Sequence, residues 1–262
     1  MLARIVKKAK PLPGTRSKSN PRSVRHAAEQ APLYAVLTGD IVQSHKLSAD
    51  DLDEAMASLR HAANIAAKAF GHKVWPFMRF RGDGWQIVMP EPKYALRACL
   101  LLRAALHQHR PRVRTRISVG IGPTGRIFPR DLGKSDGLAF NLSGQALEGM
   151  GRKDAIQMSF VPRDREVSQL VHAVVTLCDA ISRRWMPGQA RVLAKVLLPE
   201  PHNQLEIGRI LGIRQQSVQA QADAGNGWAV EESLETLEGL DWTRLADGWE
   251  KQPNSTVMRK TA

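Results

Sequence analysis

WPFMRFRGDGWQIVM, residues 75–89, reads as two β-prone runs on either side of the compact turn signal Gly82-Asp83-Gly84. The stretch predicts a β-hairpin, and its flanks predict the rest of a sheet. Upstream, LYAVLT (33–38) is a short apolar run ending at Gly39, read as a buried strand. Between the two, Ser48 followed by Asp51 has the form of a capping box. Leu52, Ala55, Met56, Leu59, Ala63, Ala66, Ala67 and Phe70 then recur at three and four residues, the spacing of an amphipathic helix. Downstream, YALRACLLLRAALHQH (94–109) has helical spacing, and VRTRISVGI (113–121) alternates before the turn Gly122-Pro123-Thr124-Gly125.

The series is βαββαβ, which predicts an α+β fold with a ferredoxin-like split βαβ sheet, the first and second strands running parallel on either side of the third. That topology has a chemical consequence. Asp40 is expected just after the end of the first strand and Asp83 on the turn after the second, so both carboxylates should reach one sheet edge. Beyond the sheet, 137–150 is helical in pattern, IQMSF (156–160) is an extra strand and 164–184 a long helix. From Pro187 to Leu240 the pattern is all-helical. Within it Ile207, Leu211, Ile213 and Val218 have helix-turn-helix spacing, with Gly212 at the turn.

The 262 residues are 43% hydrophobic and 24% charged, ordinary globular usage that excludes global disorder. No window approaches 18 uninterrupted apolar residues, and MLARIVKKAKPLPGTR has no apolar stretch of signal-peptide length, so a membrane span and secretion are not expected. Cys99 and Cys178 lie among apolar residues of predicted helices and read as buried free thiols, which suits a reducing, cytoplasmic setting. The net charge of +13 is uneven: residues 1–30 carry eight Lys/Arg against Glu29 alone, and Lys93 to Arg130 holds nine bases and no acid. Such blocks suit polyanions, a solvated surface or, for the first, a transit peptide.

Two aspartates at adjacent strand ends, backed by Arg79 and Arg81, form the hard-oxygen arrangement that holds Mg²⁺ or Mn²⁺ with a substrate's phosphates. The other reading is of turn aspartates that hydrogen-bond the backbone and of exposed strand arginines. These residues carry a resemblance to the nucleotidyl-cyclase and GGDEF palm domains: TGDIVQS (38–44) looks like their metal-binding first strand, RFRGDGW (79–85) like the hairpin, and VGIGPTG (119–125) like the strand that follows. Closer is the resemblance to the bacterial SatD family, carried by GDIVQS, by RGDGWQ, by SDGLAF (135–140) and by the C-terminal helix-turn-helix. It implies a cyclase-like palm joined to a DNA-binding-like module. The implied divisions are a disordered basic tail (1–30), a palm (31–162), a linker helix (163–186), a helix-turn-helix domain (187–242) and a tail (243–262).

The resemblance assigns Asp40, Ile41 and Asp83 to a metal, and Arg79, Arg81, Asn141 and Gln145 to a nucleotide. Cyclases place an arginine one turn after the asparagine of G-x-x-[V]-N-x-x-x-R. Here Gly137, Phe140 and Asn141 fit, but Gln145 stands at the arginine position. A neutral amide cannot replace that cation, and losing one such stabiliser typically costs about 10² to 10³ in rate. Gly84 replaces the acidic residue of GGDEF, which argues against a cyclic-di-GMP synthase. In the helical region Arg214, Gln215, Gln216 and Gln219 are side chains able to read base edges. Yet Pro187 to Leu240 holds four bases and seven acids, so DNA affinity there would need help from Arg183, Arg184 or the basic tail. A helical dimerisation or packing module has the same hydrophobic spacing. Trp228 and Trp242 are expected in its core. The sequence thus supports a dimeric nucleotide- or second-messenger-sensing regulator that binds DNA, a divergent Mg-dependent nucleotidyl cyclase or nucleotidyltransferase, or an interaction scaffold.

Overall fold

A computed structural model describes residues 31–109, 113–151, 155–199 and 203–251; the basic segment 1–30 and residues 252–262 lie outside them. Five strands form one sheet in the order β2-β3-β1-β4-β5: β1 (Leu33–Ile41), β2 (Phe77–Phe80), β3 (Gly84–Met89), β4 (Thr115–Pro123) and β5 (Ile156–Phe160). β1 pairs antiparallel with both β3 and β4, β2 pairs antiparallel with β3, and β5 adds to β4 in parallel. β1 and β2 therefore run the same way with β3 between them.

Strand alternation divides the core by face. On one side Ala35, Leu37, Trp85, Ile87, Ile117, Val119 and Met158 pack with the buried stripes of α1 (Ala49–Ala69), α2 (Ala95–His109) and α4 (Arg165–Ser182). The predicted cap of α1 is present, with the Ser48 hydroxyl accepting from the Asp51 amide at 3.1 Å. α1 then buries Ala55, Met56, Leu59, Ala62, Ala63, Ala66 and Ala67, mostly small residues that let it pack closely on α2. Both cysteines, Cys99 and Cys178, are buried in this layer as free thiols.

The other face is covered by α3 (Leu138–Gly149), where Val36, Val88, Leu132 and Ala139 form a smaller core. Contact there is backbone to backbone. A Cβ on Gly120 would lie 2.1 Å from the Ala139 carbonyl oxygen and 2.5 Å from the Ser143 amide, so only glycine admits the helix. Polar groups between sheet and helix satisfy one another: Thr38 Oγ1 and Ser143 Oγ lie 2.9 Å apart, Ser118 Oγ donates to the Ser143 carbonyl, and Gln86 Nε2 donates to Thr38 Oγ1.

Five helices follow: α5 (Pro187–Val196), α6 (Gln204–Leu211), α7 (Gln215–Ala224), α8 (Gly227–Glu238) and the single turn α9 (Trp242–Leu245). α6 and α7 are joined by a turn in which Gly212 is left-handed (φ 66), and they pack on α5 through Ile207, Val218 and Val192. The helices are tied to α2 by a forked ion pair. Arg97, 5% exposed, donates from Nε and Nη2 to the two Glu238 oxygens at 2.6 and 3.0 Å, and from Nη1 to the Leu197 carbonyl.

Three expectations change. Trp242 is buried and donates to the Leu237 carbonyl, but Trp228 is exposed rather than core, because it lies on the face of α8 opposite Val230 and Leu234. The segment after Trp242 does not behave as a tail up to residue 251: Gly248 donates its amide to Val161, Leu245 accepts from Arg163, and Arg163 pairs with Asp247 at 2.9 Å. β1 also runs past Gly39 to Ile41, which puts Asp40 inside the strand. The strand passes there because the Trp85 indole lies over Gly39, where a Cβ would come within 2.4 Å of Trp85 Cζ2.

Candidate functional site

Asp40 is opposite Gly84 on β3 and opposite Arg116 on β4. Asp83 lies in the turn just before Gly84, and its carbonyl accepts from the Ile41 amide at 3.1 Å. Sheet register thus joins two aspartates that are distant in sequence. They line one open pocket of about 480 Å³ at the end of the sheet, together with Ile41, Ser44, Lys46 and Arg116.

Arg116 organises this corner. Its Nε donates to Asp40 Oδ1 at 2.8 Å, its Nη2 donates to Asp40 Oδ2, and its Nη1 donates to the Met150 and Gly151 carbonyls at 2.6 and 3.0 Å. The hydrogen bonds to Asp40, with the charges of Asp40 and Asp83, raise the guanidinium further above its ordinary range, so it is a permanent cation here. Asp83 is separately engaged, Oδ2 accepting from Ser44 Oγ at 2.5 Å. Ser44 opens a short 3₁₀ turn, Ser44–Lys46, entered through Gln43 in the left-handed conformation (φ 55).

Aspartates and main-chain carbonyls suit Mg²⁺ or Mn²⁺ in kind, since these ions prefer oxygen donors. The arrangement does not suit them. Both Asp40 oxygens accept from the Arg116 fork, and among the described residues no group of three or more His, Cys, Asp or Glu is placed to hold a metal ion.

The other predicted ligands lie elsewhere. Arg79 turns toward α1, where Nη1 pairs with Asp53 at 2.5 Å and Nε donates to the Gly82 carbonyl; it does not line the pocket. Arg81 is a turn residue rather than a strand residue, left-handed at φ 50 beside Gly82 at φ 84, and it is exposed. Both conformations close the three-residue connection from Phe80 to Gly84. Asn141 and Gln145 are exposed one turn apart on α3, and neither lines the pocket.

Arg116 was visible to the sequence reading only as part of a basic block. The signal that finds it is the β1–β4 pairing: once Leu37 is set against Val119, Asp40 must face Arg116.

On α7, Arg214, Gln215 and Gln216 are exposed, with Arg214 at the N-cap. Gln219 is exposed but occupied, donating to both Asp223 oxygens at 2.7 and 2.8 Å and accepting from Gln204.

No family model matches the chain, and no curated protein matches it in sequence. Among solved structures, the chain is similar to the adenylyl cyclase CyaB from P. aeruginosa, with 18% identity, a TM-score of 0.35, and coverage of 54% of this chain and 81% of that one. It is also similar to the guanylyl cyclase Cya2, with 14% identity, a TM-score of 0.34, and coverage of 45% and 71%.

Proposed function

We propose that the chain is a SatD-like regulator, in which a ferredoxin-like, cyclase-type palm binds a nucleotide or second messenger at the Asp40–Asp83 corner and α6–α7 act as a helix-turn-helix on DNA. The observation that carries this reading is the corner itself: two carboxylates, a permanent cation and Lys46 line one solvent-open pocket. Buried charges of this kind usually mark structure, whereas charges gathered around an open cavity are available to a ligand. Arg116 and Lys46 are the groups that would meet phosphate, and Asp40 and Asp83 would meet ribose hydroxyls or base amino groups.

The palm and the C-terminal helices are clasped through Arg97 and Glu238, so a change in the palm has a rigid route toward α6–α7. In this reading two copies assemble as a homodimer, ligand binding alters the spacing of the two helix pairs, and Arg214, Gln215 and Gln216 contact bases. Gln219 joins them only after leaving Asp223. Thermal-shift titration of the full chain with a panel of nucleotides and cyclic dinucleotides tests the sensor. One class should raise the melting temperature, and Asp83→Ala should abolish the rise; a flat response to the whole panel would remove the sensor role. DNA retention that weakens with salt and with Arg214→Ala tests the other half.

The second reading is a divergent Mg²⁺- or Mn²⁺-dependent nucleotidyl cyclase or nucleotidyltransferase, which draws on the meeting of both aspartates in one pocket and requires Arg116 to leave Asp40 before an ion enters. Labelled product from an NTP, lost in Asp83→Ala, would select it.

A further inference from the structure

We infer that Arg116 is a tethered cation standing in the place of a metal, so that the Asp40–Asp83 corner is closed to divalent ions until the arginine is withdrawn. This deepens the reading of the corner as a ligand site, yet its test needs no nucleotide.

The argument begins with geometry. The guanidinium is held by four hydrogen bonds, two to the Asp40 carboxylate and two to the main-chain carbonyls of Met150 and Gly151. Three structural pieces thus fix one group: β1 supplies the anion, β4 supplies the arginine, and the end of α3 supplies the carbonyls. A flexible surface arginine has no such frame. A Mg²⁺ ion needs carboxylate oxygens at about 2.0–2.1 Å. The fork of Arg116 takes one lone pair on each Asp40 oxygen and occupies the side from which an ion would chelate both, which leaves only the weaker, one-oxygen approach.

Charge gives the same answer. The pocket sets two aspartates against the two cations Arg116 and Lys46. A divalent ion entering beside the guanidinium would meet a like charge at hydrogen-bond distance from the oxygens it needs, in a site only partly open to water, with side chains 20% and 25% exposed. Metal and Arg116 therefore compete for Asp40. An oxyanion that takes the guanidinium would free Asp40, so anion and metal would enter the corner together, with reciprocal gains in affinity.

The test is Mn²⁺ alone, titrated into the full-length wild-type chain and into Arg116→Gln, Arg116→Lys and the double variant Arg116→Gln/Asp40→Asn, with free ion read from its paramagnetic resonance signal. Melting curves establish that each variant folds. Arg116→Gln should bind Mn²⁺ at least about tenfold more tightly than wild type, the order expected when a like charge leaves the site. Arg116→Lys, which keeps the charge but loses the fork, should gain less, and the double variant should lose the gain. Wild type binding Mn²⁺ as tightly as Arg116→Gln would overturn the inference. If Arg116→Gln does not fold, equal Mn²⁺ affinity in wild type and Arg116→Lys overturns it instead. A silent nucleotide panel would remove the sensor role and leave these metal titrations standing, so the two failures are distinct.

Discussion

Two of the molecule's arginine–aspartate pairs share one chemistry and have opposite character. Arg103 on α2 and Asp179 on α4 meet with side chains 1% and 6% exposed, and Asp179 is engaged on both oxygens: Oδ1 accepts from Arg103 at 2.8 Å and from the Ile156 amide at 2.9 Å, while Oδ2 forms an ion pair with Arg183 at 3.1 Å. Arg116 and Asp40 meet at the mouth of a pocket instead. The deep pair staples α2, α4 and β5. The corner pair leaves a face toward solvent and a second aspartate within its field. The contrast teaches that a pair enclosed in the core marks architecture, whereas a pair with an open side can exchange partners.

The largest test of that contrast removes one partner of the deep pair. Asp179→Ala strands a buried guanidinium and should cost about 3–5 kcal/mol in urea unfolding. A loss below about 1 kcal/mol would erase the distinction between the pairs. Gly120→Ala comes next: it drives a Cβ into the α3 backbone and should cost about 1–3 kcal/mol. It also shifts the helix end whose carbonyls hold Arg116, so hydrogen exchange should quicken around the corner while Ile156 beside the deep pair stays protected.

Acid probes the deep side through a buried histidine. His107 is buried next to Arg114 and Arg103; burial, then those two cations, lowers its pKa from 6.5 to about 4, and it accepts from Arg114 at 3.4 Å in its neutral form. At this residue the unfolded chain takes up a proton near pH 6.5 and the folded chain does not, so the contribution of His107 to stability falls as pH drops from about 6.5 to 4 and is constant below. His107→Leu should flatten that slope in a series of melting curves across the window. The smallest effect belongs to Asp40→Asn, expected to change unfolding free energy by no more than about 1 kcal/mol, since Arg116 keeps two carbonyl partners and access to water.

Local pattern made much of the fold legible. The alanine-rich stripe of α1, the Gly82-Asp83-Gly84 turn and IQMSF as β5 follow from spacing and turn chemistry within a few residues. The meeting of Asp40 and Asp83 was legible at one remove, through the connectivity that sets β3 between β1 and β2. What escaped depends on register and side-chain direction. Arg116 faces Asp40 only once β4 is aligned with β1, and Arg79 turns to Asp53 because α1 passes beside the hairpin. Trp228 reads from the sequence as a core residue of the helical module, and its angular position on α8 turns it to solvent.

The two thiols carry a practical consequence. Cys99 and Cys178 are the only cysteines in the sequence, both are buried, and burial pushes the Cys99 thiol up to about 12. A maleimide spin label needs an accessible thiolate, so the native chain offers almost no background. Cysteines introduced at the exposed positions Asp50, at the start of α1 and outside the pocket lining, and Gln216 would then report by interspin distance whether occupancy of the corner moves α7.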